Sequence, residues 1–365
     1  MFQNKFKNKR VAIIGHTGFK GSWLTMWLNK LGAEVGGFSK DVPTTPSHFD
    51  LAHIGQQIHD VRGDITNYQE LLKFLQDFKP EILLHLGANA IVSECMDNPQ
   101  DAFITNTIGT VNVLEAIRAT PSLRSVVIVT SDKCYENVEW EFGYRENDRL
   151  GGKDPYSASK ACAELAFSSY YRSYLQFIPE LKIATARAGN VIGGADWAKN
   201  RIVPDCIRSW TLNESVKIRN PKSTRPWQHV LEPLSGYLAL AAALLEKDCI
   251  FNGESFNFGP KAEVNKEVEE LIHEMKKHWA NASFEVEEGH SLHKKEANLL
   301  KLCCDKALTH LSWMPTLTFE ETVEMTALWY KSWHEQNQSL QDYTFKQIEN
   351  FEKLAVQRRI PWTNQ

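Results

Sequence analysis

The sequence has no long apolar run. None approaches the ~18 residues that a membrane-spanning helix needs, so no span is expected. It also has no excess of one charge. Forty-one Lys and Arg stand against 45 Asp and Glu, for a net charge of −4, which gives no footing for a general nucleic-acid binder. The basic residues Lys5, Lys7, Lys9 and Arg10 form a short solvated run. A strand and a glycine-rich turn follow them, not the apolar core of a signal peptide. Seven cysteines are present, an odd number, and no Cys-x-x-Cys pair occurs. Cys303 and Cys304 are adjacent, which suits neither a zinc knuckle nor an easy disulfide. Reduced thiols in a cytoplasmic protein with no metal site are the simplest account. There is no internal repeat and no low-complexity segment. The 365 residues, 42% hydrophobic, suit one large domain or two that share a core.

Val11 to Ile14 is a short apolar run, as a buried parallel strand requires. It ends in Gly15-His16-Thr17-Gly18-Phe19-Lys20-Gly21, and an apolar helical pattern follows. Strand, glycine turn and helix are the context of a phosphate-cradling loop, where the backbone approaches a pyrophosphate and the helix N-terminus supplies N–H donors. The second strand, near 33–38, ends in Ser39-Lys40 with Asp41 one step late. The acidic residue that reads an adenosine ribose is thus displaced, which leaves both NAD and NADP open. Asp64 suits either the adenine edge or the N-cap of a helix near 68–78. A fourth strand after Pro80 leads into Gly87-Ala88-Asn89-Ala90. Residues 99–119 read as one long helix. The fifth strand, near 125–130, delivers Ser131-Asp132-Lys133 at its carboxyl end, where open α/β sheets carry their chemistry. An Asp/Ser turn motif is the plain alternative.

Asp154-Pro155-Tyr156 opens a helix, with Pro155 suited to its first position. Tyr156 and Lys160 are four apart and share a face. A lysine ammonium beside a phenol draws its pKa of ~10 down, so the tyrosine can take a proton from a sugar hydroxyl. A packed Tyr and a solvated Lys are the bland reading. A sixth strand at 182–187 completes an alternation that predicts a doubly wound parallel sheet. Residues 1–188 are therefore expected to form the dinucleotide-binding domain and 189–335 a smaller α/β substrate lobe. One element near 227–246 is expected to return to the first domain. A helix is expected from Pro204 to Trp210, and 336–365 is expected to be a polar, peripheral tail.

Gly15-x-x-Gly18-x-x-Gly21, Ser131-Asp132-Lys133 and Tyr156-x-x-x-Lys160, in that order, resemble the extended short-chain dehydrogenase/reductase family of nucleotide-sugar enzymes. The segments 15–24, 130–135, 187–194 and 225–230 are similar to the CDP-glucose branch of its 4,6-dehydratases. That branch carries Asp-Lys where most dTDP- and GDP-sugar relatives carry Asp-Glu.

The resemblance implies NAD as cofactor. It assigns to the cofactor Gly15, Thr17, Gly18, Phe19, Gly21, Asp64, Ile65, Leu86, Ala88, Asn106, Tyr156 and Lys160. It assigns Asn89, Ser131, Asn190, Arg201, Arg225 and His229 to CDP-glucose. Tyr156, Lys160 and Ser131 would oxidise carbon 4. Asp132 would protonate the carbon-6 hydroxyl, and Lys133 would serve carbon 5 as base or by polarising the ketone. Gly87-Ala88-Asn89-Ala90-Ile91 departs from the Ala-Ala-Gln-Pro-Leu of the branch, and Asn89 is shorter than Gln. A homodimer through the helices near 100–119 and 156–174 is implied, as is a role in deoxysugar synthesis for O-antigen or another surface polysaccharide. A dehydratase for another nucleotide-sugar, or a 4-epimerase, is the alternative. An epimerase needs no acid at carbon 6. A cofactor-binding protein without turnover would require a broken catalytic set, and none is broken.

Overall fold

The computed structural model describes residues 1–261, 263–286 and 299–363. Residue 262 and residues 287–298 of the expected substrate lobe, and the last two residues of the expected tail, lie outside the described residues. Six strands come from the first half: β1 (Arg10–Ile14), β2 (Glu34–Ser39), β3 (His59–Arg62), β4 (Ile82–His85), β5 (Ser125–Val129) and β6 (Lys182–Arg187). They form one sheet in the order β3-β2-β1-β4-β5-β6, and a seventh strand, Ser255–Asn257, extends it beyond β6. Every pairing is parallel. The expected doubly wound fold is therefore present.

Strand periodicity divides the core. Val11 and Ile13 enter one buried cluster, while Ala12 and Ile14 enter the other on the opposite face. Both faces are covered, which is why these strands read as continuous apolar runs.

The strand order reverses between β1 and β4, the crevice where such sheets bind ligands. Gly15 leaves β1 there with φ +91°, and a Cβ on it would stand 2.6 Å from the Gly87 amide beyond β4. Only glycine satisfies both the positive φ and the close approach.

Three segments differ from the sequence expectation. The 99–119 run is helical but not uniform. Pro99–Phe103 and Gly109–Arg118 are joined by a π turn at Ile104–Ile108. The helix expected from Pro204 begins at Ile202. Pro204 sits in its first turn, where a missing N–H loses no hydrogen bond.

The tail is not peripheral. Leu340–Gln357 is a helix whose Ile348, Phe351 and Ala355 are fully buried. Glu352 accepts hydrogen bonds from Trp27 Nε1 at 2.9 Å and Lys30 Nζ at 2.7 Å. Trp362 stacks on Phe2 with centroids 5.0 Å apart. The polar outer face of this helix masked a narrow apolar stripe in the sequence. The apolar helix Leu231–Leu244 also packs beneath β5 and β6. With the seventh strand, these returns place one buried cluster across the whole chain, from Phe2 to Trp362.

Candidate active site

The cleft begins at the glycine loop. Helix α1 (Phe19–Lys30) has Gly18 as its N-cap and no side-chain cap, so its first-turn N–H groups face the crevice unclaimed by side chains. A Cβ on Gly18 would meet nothing closer than 3.5 Å, whereas one on Gly21 would stand 2.0 Å from the Gly15 carbonyl oxygen. Gly21 serves loop packing, and Gly18 leaves open space. Thr17 Oγ1 donates to the Asp41 carbonyl at 2.6 Å. Ser39, at the end of β2, lies 2.9 Å from His16 Nδ1. Lys40 pairs with Asp64 at 3.0 Å. The helix at 68–78 is capped by Asn67, not by Asp64. Asp64 instead accepts from the Thr66 amide at 2.9 Å. Ile65 packs beside Gly109, and its carbonyl accepts from Asn112 at 2.9 Å. Leu86 and Ala88 are half-buried after β4. Phe19 is half-buried in the first turn of α1.

The π turn explains Asn106. It is buried and accepts from the Asn89 amide at 2.8 Å. Its Nδ2 donates to the Asn89 carbonyl at 3.1 Å and to Ser159 Oγ at 2.9 Å. Asn106 thus ties the loop after β4 to the helix carrying Tyr156. The Asn89 side chain is drawn to Asp101, 2.6 Å away.

That helix, Pro155–Ser173, is capped by Asp154, which accepts from the Ser157 amide at 3.0 Å. Tyr156 and Lys160 are buried on its inner face. Burial pushes Lys160 down to about 8. Burial also pushes Tyr156 up to about 12, while a Ser131 hydrogen bond and the Arg201 charge pull the other way. A lowered phenol was expected from the lysine alone. Here desolvation of the buried phenol is the largest effect.

Ser131 Oγ donates to Asp132 Oδ1 at 3.1 Å and accepts from the Lys133 amide at 3.2 Å. Asp132 is buried, with Asn190 Nδ2 3.4 Å from its other oxygen. Gly189 makes room for it, since a Cβ there would stand 1.8 Å from Asp132 Oδ2. Gln228 holds the Gly189 carbonyl at 3.0 Å. A narrow cleft opens beside Asp132 and Gly189, lined also by Pro226, Gln228, Gly259 and Lys301. Arg201 pairs with Asp196 at 2.9 Å, within electrostatic reach of Tyr156. Arg225 lies on a two-residue strand paired with Lys266.

His229 is not brought to the cleft. It is fully buried with its ring 5.9 Å from Trp23, and its Nδ1 accepts from the Leu231 amide at 3.3 Å. A histidine within a polar motif reads as a ligand contact, but the strand at 228–229 turns it into the core.

Sequence reasoning missed Lys20 and Gln228. Lys20 Nζ lies 3.5 Å from Tyr237 Oη. Burial pushes Lys20 down to about 8, and the neighbouring Arg201 and Lys160 charges act in the same sense. A first-turn lysine reads as solvated. Its signal was its place between two loop glycines.

The sequence profile described as GDP-mannose 4,6 dehydratase matches residues 12–326. The chain belongs to this family. A CDP-glucose 4,6-dehydratase of Salmonella typhimurium is 44% identical over 91% of this chain and 93% of its own. A dTDP-glucose 4,6-dehydratase of Xanthomonas campestris is 24% identical over 74% of this chain and 78% of its own. The solved NAD complex of a Bacillus anthracis dTDP-glucose 4,6-dehydratase superposes with a TM-score of 0.73 at 21% identity. It covers 92% of this chain and 99% of that one. An epimerase structure from Methanothermobacter thermautotrophicus gives 0.77 at 22%, covering 92% and 97%. The extended short-chain dehydrogenase/reductase resemblance and the Rossmann-type fold are thereby borne out. Among the described residues, no helix is long and apolar enough to cross a membrane.

Proposed function

We propose that the chain is an NAD-dependent lyase that dehydrates CDP-glucose to CDP-4-keto-6-deoxyglucose. The observation that carries this is the buried Asp132 bonded to Ser131, whose hydroxyl is also hydrogen-bonded to Tyr156 on the helix that carries Lys160. The likeness to the Salmonella typhimurium enzyme supports the choice of sugar nucleotide. Removing a hydroxyl needs an acid that epimerisation does not.

The residues present fit a dinucleotide. The Gly15 turn and the uncapped α1 N-terminus suit a pyrophosphate. Lys40 pairs with Asp64 at 3.0 Å, which favours NAD over a cofactor carrying a 2′-phosphate. Bound there, NAD supplies a reversible hydride acceptor. Tyr156 takes the proton from the carbon-4 hydroxyl and Ser131 bonds the same oxygen. Lys160, as a cation one turn away, opposes the burial that raises the Tyr156 phenol and so favours its phenolate. Asp132 delivers a proton to the departing carbon-6 hydroxyl. Lys133 serves carbon 5, as base when neutral or by polarising the ketone. Asn190 and Arg225 hold the substrate pyrophosphate, and Arg201 lies beside the sugar.

Incubation with CDP-, dTDP-, UDP- and GDP-glucose, followed by mass spectrometry, tests the reading. A 4-keto-6-deoxy product is expected fastest from CDP-glucose. Faster turnover of dTDP-glucose overturns the choice of base, and an epimerised sugar overturns the reaction.

Phe103, Ile104, Ile108 and Leu165 are exposed on the two helices that the family likeness offers as a dimer face. We read the protein as a homodimer through that face. Ile108→Glu combined with Leu165→Glu should sediment as a monomer, and an unchanged sedimentation coefficient contradicts this. Seven thiols without a disulfide suit a cytoplasmic enzyme, and the product suits deoxysugar supply for O-antigen or another surface polysaccharide.

A further inference from the structure

Behind the cleft lies a buried ion pair that none of these roles uses. Glu164 sits one turn beyond Lys160 and two beyond Tyr156, on the same helix face, and Arg187 ends β6. Their side chains are 2% and 3% exposed. The contact is two-pronged, with Arg187 Nε 2.9 Å from Glu164 Oε1 and Nη2 2.8 Å from Oε2. The remaining valences are filled. Thr130 Oγ1 donates to Glu164 Oε1, and Thr185 Oγ1 donates to Oε2 at 3.0 Å. Arg187 Nη1 donates to Tyr135 Oη at 2.7 Å and to the Glu146 carbonyl at 2.9 Å. Tyr135 Oη in turn donates to Asn257 Oδ1 at 2.7 Å, and Asn257 Nδ2 to the Cys303 carbonyl at 3.1 Å.

We propose that Glu164 and Arg187 are a positioning pair that holds the Ser131-Asp132-Lys133 turn in register with the Tyr156/Lys160 helix. The proposal rests on the dehydratase reading. Thr130 and Tyr135 bracket the turn, and each is bonded to one member of the pair. The turn's two ends are therefore fixed to the helix that carries the tyrosine. Stability does not require this, since well-packed apolar side chains commonly replace a buried ion pair at no loss. A fully satisfied polar network does specify one geometry, and misplacement by about 1 Å can cost about 10²-fold in rate. Arg187 and the threonine hydrogen bonds hold the Glu164 carboxyl below its usual range despite burial, so the pair stays ionised in the working range.

The test removes one arm at a time. Thr130→Val deletes the hydroxyl that joins the strand end to Glu164, and Thr130→Ser restores it. Thr130→Val should fold normally and keep its NAD affinity. Its KM should stay within about threefold of wild type while kcat falls about 10- to 100-fold. Thr130→Ser should recover most of the rate. Glu164→Gln should show a larger kcat loss with the same KM pattern where it folds. A Thr130→Val enzyme with kcat within twofold of wild type overturns the proposal. So does a Thr130→Ser enzyme as slow as the valine variant, or a loss confined to cofactor binding or folding. If wild type dehydrates none of the four nucleotide-sugars, the dehydratase reading fails and this proposal falls with it. If wild type is active and the variants match it, only the proposal fails.

Discussion

From Gly15 to Gly21 the chain builds half of its cleft with almost no side chains. The other half, around Asp132 and Tyr156, is assembled from side chains of the first turn of α1, the end of β5, the 155–173 helix and the loop after β6. The first half needs a positive φ, a close backbone approach and an open helix end, all within seven residues. The second needs burial, a matched ion pair and a glycine that yields space to a carboxylate. One is a property of local backbone, the other of tertiary packing, and the two should fail differently when altered.

The largest effect should come from the side-chain half. Tyr156→Phe removes the group proposed to take the carbon-4 proton. Turnover should fall by at least the 10²–10⁴-fold typical of acid–base groups, with no reduced cofactor formed. Asp132→Asn keeps the hydrogen-bonding shape but cannot deliver a proton. Product should drop by a similar factor while reduced nicotinamide accumulates on the enzyme, visible by its absorbance. If Asp132→Asn forms product near the wild-type rate, or fails to reduce the cofactor, Asp132 has another role.

Acid should act next, at the seam between the two halves of the chain. His48 and His229 flank Trp23, and His48 Nε2 reaches Thr344 of the returning helix at 3.1 Å. Burial holds His48, His85 and His229 down to about 3. Their folded values lie below the unfolded 6.5, so the unfolded chain takes protons first and stability falls as pH drops through 6.5 toward 3. Glu232 opposes this. Burial raises it to about 7, although it accepts from the Thr316 and Leu317 amides. Its cost grows from pH 4.5 to 7 and is relieved by acid. His16 is lowered by burial in the same way, and Glu146 and Asp205 are raised as Glu232 is, so the histidines set the sign and stability should fall from pH 7 to 5. Urea midpoints at the two pH values measure it, and equal midpoints contradict the balance.

The glycines should separate binding from folding within the backbone half. Gly18→Val places its side chain in open space, so the fold should survive while NAD affinity falls about 100-fold, or about 2.7 kcal/mol. Gly21→Ala drives a Cβ into the Gly15 carbonyl and should destabilise the loop itself. Calorimetric titration beside thermal melts distinguishes them. Full NAD affinity in a folded Gly18→Val protein removes the loop from the cofactor site.

The sequence by itself determined what depends on near neighbours. Strand β1, its glycine turn, the Asp154-Pro155 helix start and the Tyr156/Lys160 face are set by backbone sterics, capping and helical period, each acting within a few residues. Tertiary structure alone decided the rest. It turned His229 into the core, brought Lys20 to Tyr237 and gave Asn106 its π-turn geometry. It drew the 340–357 helix onto α1 and the seventh strand into the sheet. It also set Tyr156 at about 12 instead of lower, because the desolvation of a phenol depends on everything packed around it. Burial is contributed by residues hundreds of positions apart, and no local pattern in the sequence encodes it.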